Sequence, residues 1–403
     1  GLVCATLLAV AWRLFSVELK DPTGTREVIS QAQARARAVR EIPPYRNGFY
    51  PLRRVFMNRD VDDAARAPWN GLAAATTGKR VDDEEALRHP EMREARRKFL
   101  SVLPGLKEAL SRPDFAEPHD LNYRSRLPNF VLMRATAQSL ANLGLLYEME
   151  GHPDQALDCY LTGLKWGDRM TGQGMLIQEM ICVALEAIAL ERIHSLQTRW
   201  PLDRPGCRAI IDAVESSRMR PENLARTLEN EMAAAWLFLQ KPARERAAVE
   251  PTFGLLLPAA MERYERIALT NAYMTMLPAV RSLKSPSLNE TELISAYPAS
   301  RAVRYFLPNA DKAVQQYAYL LTRLEAARTI AAIQLYRMDH GRYPAGLQEL
   351  VGPYLKTAPR SYCGKLDYSA SATGFTLRVD PEGRFRKSWH GAWDWWMFYP
   401  YPN

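Results

Sequence analysis

Apolar residues recur every three or four positions along most of the chain, and this spacing predicts a mainly helical protein. The pattern is strongest between positions 131 and 240, where Gly or Pro interrupts it at short intervals. Short breaks between helices of this length predict antiparallel helical hairpins. The predicted helices of this region cover about 131–150, 153–170, 174–199, 204–218 and 221–240.

One stretch of this region, 175–193, is apolar on nearly every face. Such a helix must be covered on all sides, so we expect it at the centre of the helical part. Outside the region, the same spacing predicts helices at about 25–41, 90–111, 258–283 and 310–340.

Beyond position 342 the pattern changes from helical to strand-like. Residues 343–379 alternate turn residues with short β-favouring runs, such as KLDYSA and GFTLRV. The predicted fold class is therefore mainly α. Antiparallel helical hairpins, stacked as an α-solenoid or gathered in a bundle, precede a small α+β C-terminal module.

Four segments are predicted from these changes of pattern. They are a membrane anchor at 1–17, a linker and N-terminal helices at 18–130, a helical domain at 131–309, and a long helix with a small β module and an aromatic tail at 310–403.

The first segment, GLVCATLLAVAWRLF (1–15), is apolar up to Arg13. That run is shorter than the roughly 20 residues a spanning helix needs. The sequence has no initiating Met, and the run ends in an aromatic residue and a cation, as a helix leaving a bilayer does. We expect part of an uncleaved single-pass anchor that contacts membrane lipid; a buried N-terminal helix is the alternative. The main domain is expected outside the cytoplasm, although charge alone does not fix the orientation.

Two neighbouring predicted helices carry a packing motif of small and bulky residues. The small residues allow the helices to approach closely, and the bulky ones fill the space around that contact. The motif consists of Leu140, Leu143, Gly144, Tyr147, Ala156 and Tyr160.

This spacing resembles the tetratricopeptide repeat (TPR), a pair of packed helices that stacks on further pairs. The match covers about one repeat of 34 residues. It departs from the repeat at Leu140, Gly163 and Asp168. The resemblance implies a TPR-like stack with a protein-binding surface. A compact bundle with one such hairpin is the alternative.

The segment 326–379 resembles part of the type II secretion major pseudopilins. There a helix ends at Gly and is followed by Tyr-Pro, a short Leu-containing helix, a Tyr-Leu-x-x-x-Pro turn and a β-hairpin. The residues that carry the resemblance are Tyr336, His340, Gly341, Tyr343, Pro344, Leu347, Leu350, Tyr354, Leu355, Pro359, Gly364, Tyr368, Gly374 and Phe375.

Departures limit what this resemblance implies. Position 5 is Ala5 where those proteins have Glu, and Ser361-Tyr362 replaces their Asp-Pro. The resemblance therefore implies a module fold and no calcium site. The whole layout also resembles large bacterial proteins with one N-terminal anchor, a helical middle and this ending.

Composition and charge exclude few classes of protein. Of the 403 residues, 47% are hydrophobic and 24% charged, which is typical of globular domains. The net charge of +8 comes from basic runs such as QARARAVRE (33–41) and REARRKF (93–99). Because these runs lack interleaved aromatic residues, we expect solvated helix faces and no nucleic-acid partner.

Five scattered cysteines without a CxxC pair argue against a disulfide framework and a zinc site. Cys159 and Cys182 lie in apolar helical patterns and are expected in the core. A bridge between Cys207 and Cys363 is left open. We expect no metal and no cofactor.

No catalytic motif is present. The six histidines do not form pairs at helical spacing, and HExxH, GxSxG and a P-loop are absent from the sequence. Glu179 and Glu186 share a helix face about 10 Å apart. We expect each to pair with a Lys or Arg, we assign no catalytic residue, and we predict that the protein is not an enzyme.

The chain ends in its most aromatic stretch, a candidate docking surface for a protein partner. The alternative is that this tail folds back on the helical core. The candidate docking residues are Trp389, Trp393, Trp395, Trp396, Phe398 and Tyr399.

These features together predict a non-catalytic, membrane-anchored scaffold or accessory subunit that binds protein partners in a larger membrane complex. A component of a type II secretion or pilus-like apparatus is the first alternative. A hydrolase is the second, and it would need a cleft with at least two convergent carboxylates.

Overall fold

The computed structural model describes the chain in blocks, which are residues 22–57, 90–117, 121, 130–248, 259–283, 294–298, 300–307, 310–381 and 397–398. The predicted anchor at 1–17 lies outside them, as does most of the aromatic tail. Among the described helices, none combines the length and the apolar character needed to cross a membrane.

The described chain is mainly helical with a small antiparallel sheet, which confirms the predicted fold class at this level. The long helices begin and end within a few residues of the positions that the apolar spacing predicts. The helices are α1 (Thr25–Glu41), α2 (Phe49–Met57), α3 (Pro90–Ser111), α4 (Phe130–Met149), α5 (Pro153–Met170), α6 (Leu176–Arg199), α7 (Arg204–Glu215), α8 (Pro221–Leu239), α9 (Ala243–Ala247), α10 (Ala259–Ser282), α11 (Arg301–Phe306) and α12 (Ala310–His340).

Three short helices were not predicted: α2, α9 and α11. Each has nine residues or fewer, so an apolar repeat cannot be recognised within it. The start of α11 is fixed instead by a cap, because the Ser300 hydroxyl accepts a hydrogen bond from the Val303 N–H at 3.1 Å.

Helix α6 lies at the centre of the helical part and packs against α4, α5, α8 and α12. This confirms the position expected from its apolar sequence. Its side chains Cys182, Leu185, Ile193 and Leu196 are fully buried. Around it, α8 packs on α1 and α10, while α7 packs on α5 and α12.

The C-terminal module follows α12. Gly341 has a φ of 66°, the left-handed conformation that ends many helices. A 3₁₀ turn (Leu347–Leu350) leads to the strands β1 (Gly364–Ala370) and β2 (Phe375–Pro381). These strands pair antiparallel from Gly364 opposite Pro381 to Ala370 opposite Phe375. A short strand β3 (Met397–Phe398) pairs with the start of β2, giving the order β1-β2-β3.

Candidate functional site

The predicted packing motif lies where α4 meets α5. Leu140, Leu143, Ala156 and Tyr160 are buried there. A Cβ added at Gly144 would overlap the Tyr160 ring, whose Cζ would lie 2.6 Å away. The two helices therefore approach as closely as the backbone of Gly144 allows.

Two tyrosines of this hairpin have different contacts with charged residues. The buried hydroxyl of Tyr160 donates a hydrogen bond to Glu148 at 2.5 Å. Tyr147 is partly buried, and the Arg96 guanidinium lies 5.0 Å from its ring centre. Both rings are therefore fixed, and the shape of the hairpin is well defined.

Helix α6 carries two enclosed carboxylates, Glu179 and Glu186, which are 2% and 0% exposed. Glu179 accepts hydrogen bonds from the Thr171 hydroxyl, from the Gly172 N–H at 2.7 Å and from the Thr227 hydroxyl at 3.4 Å. The expectation that this side chain pairs with a cation is wrong, because hydroxyl and backbone groups hold it.

Glu186 has a different environment. Among the described residues, neither of its carboxylate oxygens has a hydrogen-bond partner. The expected pairing of Glu186 with a Lys or Arg is therefore not found among the described residues. Helix α5 lies close against this side chain, because a Cβ at Gly167 would lie 2.5 Å from the Glu186 Cγ.

Burial raises the pKa of Glu186 well above its ordinary value, and the charges of Asp168 and Glu179 raise it further. Burial also raises the pKa of Asp168, although the Arg218 N–H and the Ser217 hydroxyl oppose that shift. Glu179 and Glu186 lie inside the core, whereas the hydrolase alternative needs carboxyls in a cleft. Asp168 is partly buried and lines an open cavity of about 460 Å³ together with Asp212. In the part of the chain that the structure describes, no three His, Cys, Asp or Glu side chains could hold a metal ion.

A second polar cluster joins α7 to the C-terminal module. Glu215 lies at the end of α7 and accepts a hydrogen bond from the Lys356 N–H at 3.0 Å. The same carboxylate lies 2.9 Å from the Lys356 Nζ and 3.5 Å from a nitrogen of Arg328, a buried side chain of α12. Arg328 also pairs with Glu325 at 2.7 Å.

Asp339, at the end of α12, makes a further contact of this junction. It pairs with Arg204 at 2.5 Å and accepts a hydrogen bond from the Tyr354 hydroxyl at 2.6 Å. These two bonds lower the pKa of Asp339 to about 2. The adjacent His340 instead stacks on Tyr336, with ring centres 4.2 Å apart. Asp339 therefore links the end of α12 to α7 and to the module.

Glu215→Gln is expected to loosen the module from α7. A neutral amide cannot hold the Lys356 ammonium, and Arg328 loses one of its acids. We expect unfolding to become easier by about 1–2 kcal/mol after allowance for solvent screening. Hydrogen exchange should accelerate in the 3₁₀ turn and in β1, and urea titration gives the stability.

Asp367→Asn is the matched control for that experiment. Asp367 lies on β1 and pairs with the exposed Lys365 at 3.2 Å. We expect its replacement to change stability by less than about 0.5 kcal/mol. Equal effects of the two substitutions would show that Glu215 does not fasten the module.

A cleft of about 440 Å³ lies at this junction, between the α7–α8 loop, α10, α12 and the module. Its described lining holds three acids, which are Glu215, Glu222 and Glu325. It also holds five cationic side chains, which are Arg220, Arg281, Arg328, Lys356 and Arg360. The cleft is therefore a solvent-open site whose described lining has more cationic than acidic side chains, which makes it a candidate for binding a ligand.

Two of these cations are available to a ligand. Arg360 is 65% exposed, lies 3.9 Å from Glu325 and covers the Tyr362 ring at 4.7 Å. Arg220 is exposed, and its Nε donates a hydrogen bond to the Ser217 carbonyl at 3.3 Å. Within the described chain no carboxylate lies in ion-pair distance of Arg220.

The aromatic tail lies largely outside the described residues. Phe398 is in β3, where its backbone pairs with Phe375 of β2. The remaining candidate docking residues are outside the described chain and are Trp389, Trp393, Trp395, Trp396 and Tyr399.

The question of a Cys207–Cys363 bridge is settled, because both are free, buried thiols. Cys207 Sγ lies 3.4 Å from the Gln334 side chain, and Cys363 Sγ lies 3.4 Å from the Thr322 hydroxyl. Burial raises the pKa of each thiol to about 12. These cysteines are core residues.

The cleft itself was not predicted from the sequence. Arg220 and Arg360 lie far apart in the chain, and only the docking of the module brings them together. The nearest signal is the arginine-rich stretch SSRMRPENLAR, which spans positions 216–226. Comparison with protein families, with curated proteins and with solved structures found no match to the chain.

Proposed function

We propose that the protein is a non-catalytic scaffold or accessory subunit of a membrane complex, and that it binds a partner protein at the junction cleft. The observation that carries this proposal is the positively charged cleft between the helices and the fastened module. A cleft that is wide, polar and open suits an acidic segment of a partner better than a small apolar substrate.

The helical part would supply the rigid frame. We propose that α4 and α5 form one unit of a TPR-like stack and that α6 begins the next. Support comes from the close contact at Gly144 and from the packing of α6 on both α4 and α5. In such a stack each unit relies on its neighbours to cover its apolar face.

The chemistry of the cleft favours binding over catalysis. Burial opposes the ionisation of Glu215, yet hydrogen bonds from Lys356 lower its pKa below the ordinary value. Glu325 pairs with Arg328 in the same way. Acids held as ion pairs are poor proton donors at neutral pH.

Purification of the full chain from native membranes tests the proposal. We expect the protein to migrate with a defined complex and to lose that complex when Arg220 and Arg360 are both replaced by Glu. Arg134→Glu, an exposed position on α4 outside the cleft, should leave the complex intact. A protein that migrates alone would contradict the proposal.

The pilus-like alternative predicts another outcome of the same experiment. The order of a long helix, a 3₁₀ turn and an antiparallel hairpin favours it. Recovery of the protein with pilin subunits would support this alternative and overturn the scaffold proposal.

A further inference from the structure

A second cavity adjoins the junction cleft. It has a volume of about 470 Å³ and lies beside the start of α8. Ser217, Arg220 and Glu222 line both cavities. The two spaces therefore meet at the α7–α8 loop, with Arg220 between them.

The second cavity is also positively charged. Arg218, Arg220 and Arg226 line it, against the single acid Glu222. Arg226 donates a hydrogen bond to the neutral Asn223 side chain at 3.2 Å. In the described parts of the chain, none of these three arginines forms an ion pair with a carboxylate. Cationic side chains therefore outnumber acids in this lining by three to one.

Hydrogen bonds with one residue of α12 and one residue of α5 hold the loop between the cavities in place. The buried Tyr317 of α12 donates a hydrogen bond to the Arg220 carbonyl at 3.1 Å and accepts one from the Arg220 N–H at 3.1 Å. Asp168 accepts hydrogen bonds from the Ser217 hydroxyl at 2.8 Å and from the Arg218 N–H. The backbone that carries Arg218 and Arg220 is thus fixed before any ligand arrives.

We infer that the two cavities form one groove for an extended acidic polypeptide segment, with Arg220 as the cation that contacts its middle. This inference rests on the proposed function and names the partner's chemistry. Guanidinium groups bind carboxylates through two parallel hydrogen bonds, so arginines spaced along a groove suit successive Asp or Glu side chains. An extended segment advances about 3.3 Å per residue and can occupy both cavities.

An acidic polypeptide fits better than a nucleic acid. Binding to single-stranded nucleic acid uses aromatic faces on which bases stack. The described lining of the groove offers one aromatic ring, Tyr362, and Arg360 already covers it.

Fluorescence anisotropy with labelled peptides tests the inference. We expect a deca-glutamate to bind the full chain at low salt at least tenfold more tightly than a tri-glutamate, and a deca-glutamine not to bind. Arg220→Gln should weaken deca-glutamate binding by about tenfold, the effect of one lost charge-assisted contact. Arg226→Gln and Arg360→Gln should each weaken it less.

Arg134→Gln is the matched control, because Arg134 is exposed on α4 and lines neither cavity. Circular dichroism confirms that each variant is folded. Equal binding by the Arg134 and Arg220 variants would overturn the inference, as would equal affinity for the long and short glutamate peptides. Tighter binding of a ten-nucleotide oligothymidine than of deca-glutamate would assign the groove to nucleic acid instead.

The two proposals can fail separately. Deca-glutamate binding without a native complex would contradict the scaffold role and leave the groove in place. A native complex that survives the Arg220 and Arg360 substitutions, with no deca-glutamate binding, would contradict the groove and leave the scaffold role in place.

Discussion

Glu186→Gln is expected to stabilise the protein increasingly as the pH rises above 4.5, the ordinary pKa of the carboxyl. In the unfolded chain Glu186 ionises around that pH. In the folded chain burial keeps its pKa much higher, so the folded state retains a proton that the unfolded state releases. Between pH 4.5 and the folded-state pKa, the Glu186 carboxyl lowers the free energy of unfolding of the wild-type protein by up to about 1.4 kcal/mol per pH unit.

Urea denaturation at several pH values between 5 and 8 measures this effect. The difference in unfolding free energy between Glu186→Gln and wild type should grow with pH and should be small near pH 5. Glu41→Gln removes an exposed carboxyl at the end of α1 and serves as the control. A constant difference across the pH range would show that Glu186 is ionised in the folded protein.

Gly144→Ala is expected to destabilise the helical part, although alanine is normally the better helix former. The added methyl group would overlap the Tyr160 ring, which is buried and cannot turn away while its hydroxyl is bound to Glu148. Overpacking of this kind costs about 1–3 kcal/mol. It outweighs the gain of about 1 kcal/mol that alanine brings inside a helix.

Gly163→Ala gives a matched comparison in the same hairpin. A Cβ there would lie 3.5 Å from the Ala189 Cβ and 3.8 Å from the Leu140 Cδ1, which is ordinary van der Waals contact. We therefore expect this variant to gain up to about 1 kcal/mol from helix propensity. Thermal or urea unfolding of the two variants compares them. A Gly144→Ala protein as stable as Gly163→Ala would contradict the close approach of α4 and α5.

The helix boundaries could be predicted because residues at each boundary determine them locally. Pro153 and Pro221 begin α5 and α8, and Gly341 ends α12 with a positive φ. Each of these residues acts on its own stretch of backbone, so one sequence is enough to interpret it. The central position of α6 followed from its apolar faces for the same reason.

The candidate site depends on contacts between distant parts of the chain. The sequence places Glu186 on an apolar helix, but its complete burial depends on the close approach of α5 at Gly167. Likewise, Arg220 and Arg360 line one cleft only because Glu215 and Asp339 fasten the module to α7 and α12. A pattern within one stretch of sequence cannot predict contacts between residues that lie far apart in the chain.

The two hydrogen bonds between the Tyr317 hydroxyl and the backbone N–H and C=O of Arg220 have a consequence for affinity. Since this wall of the groove is already ordered, its conformational entropy does not fall further on association. The backbone part of the entropic penalty then rests with the incoming chain. Stiffness of that chain, set by its own prolines or helical turns, would govern how strongly it is retained.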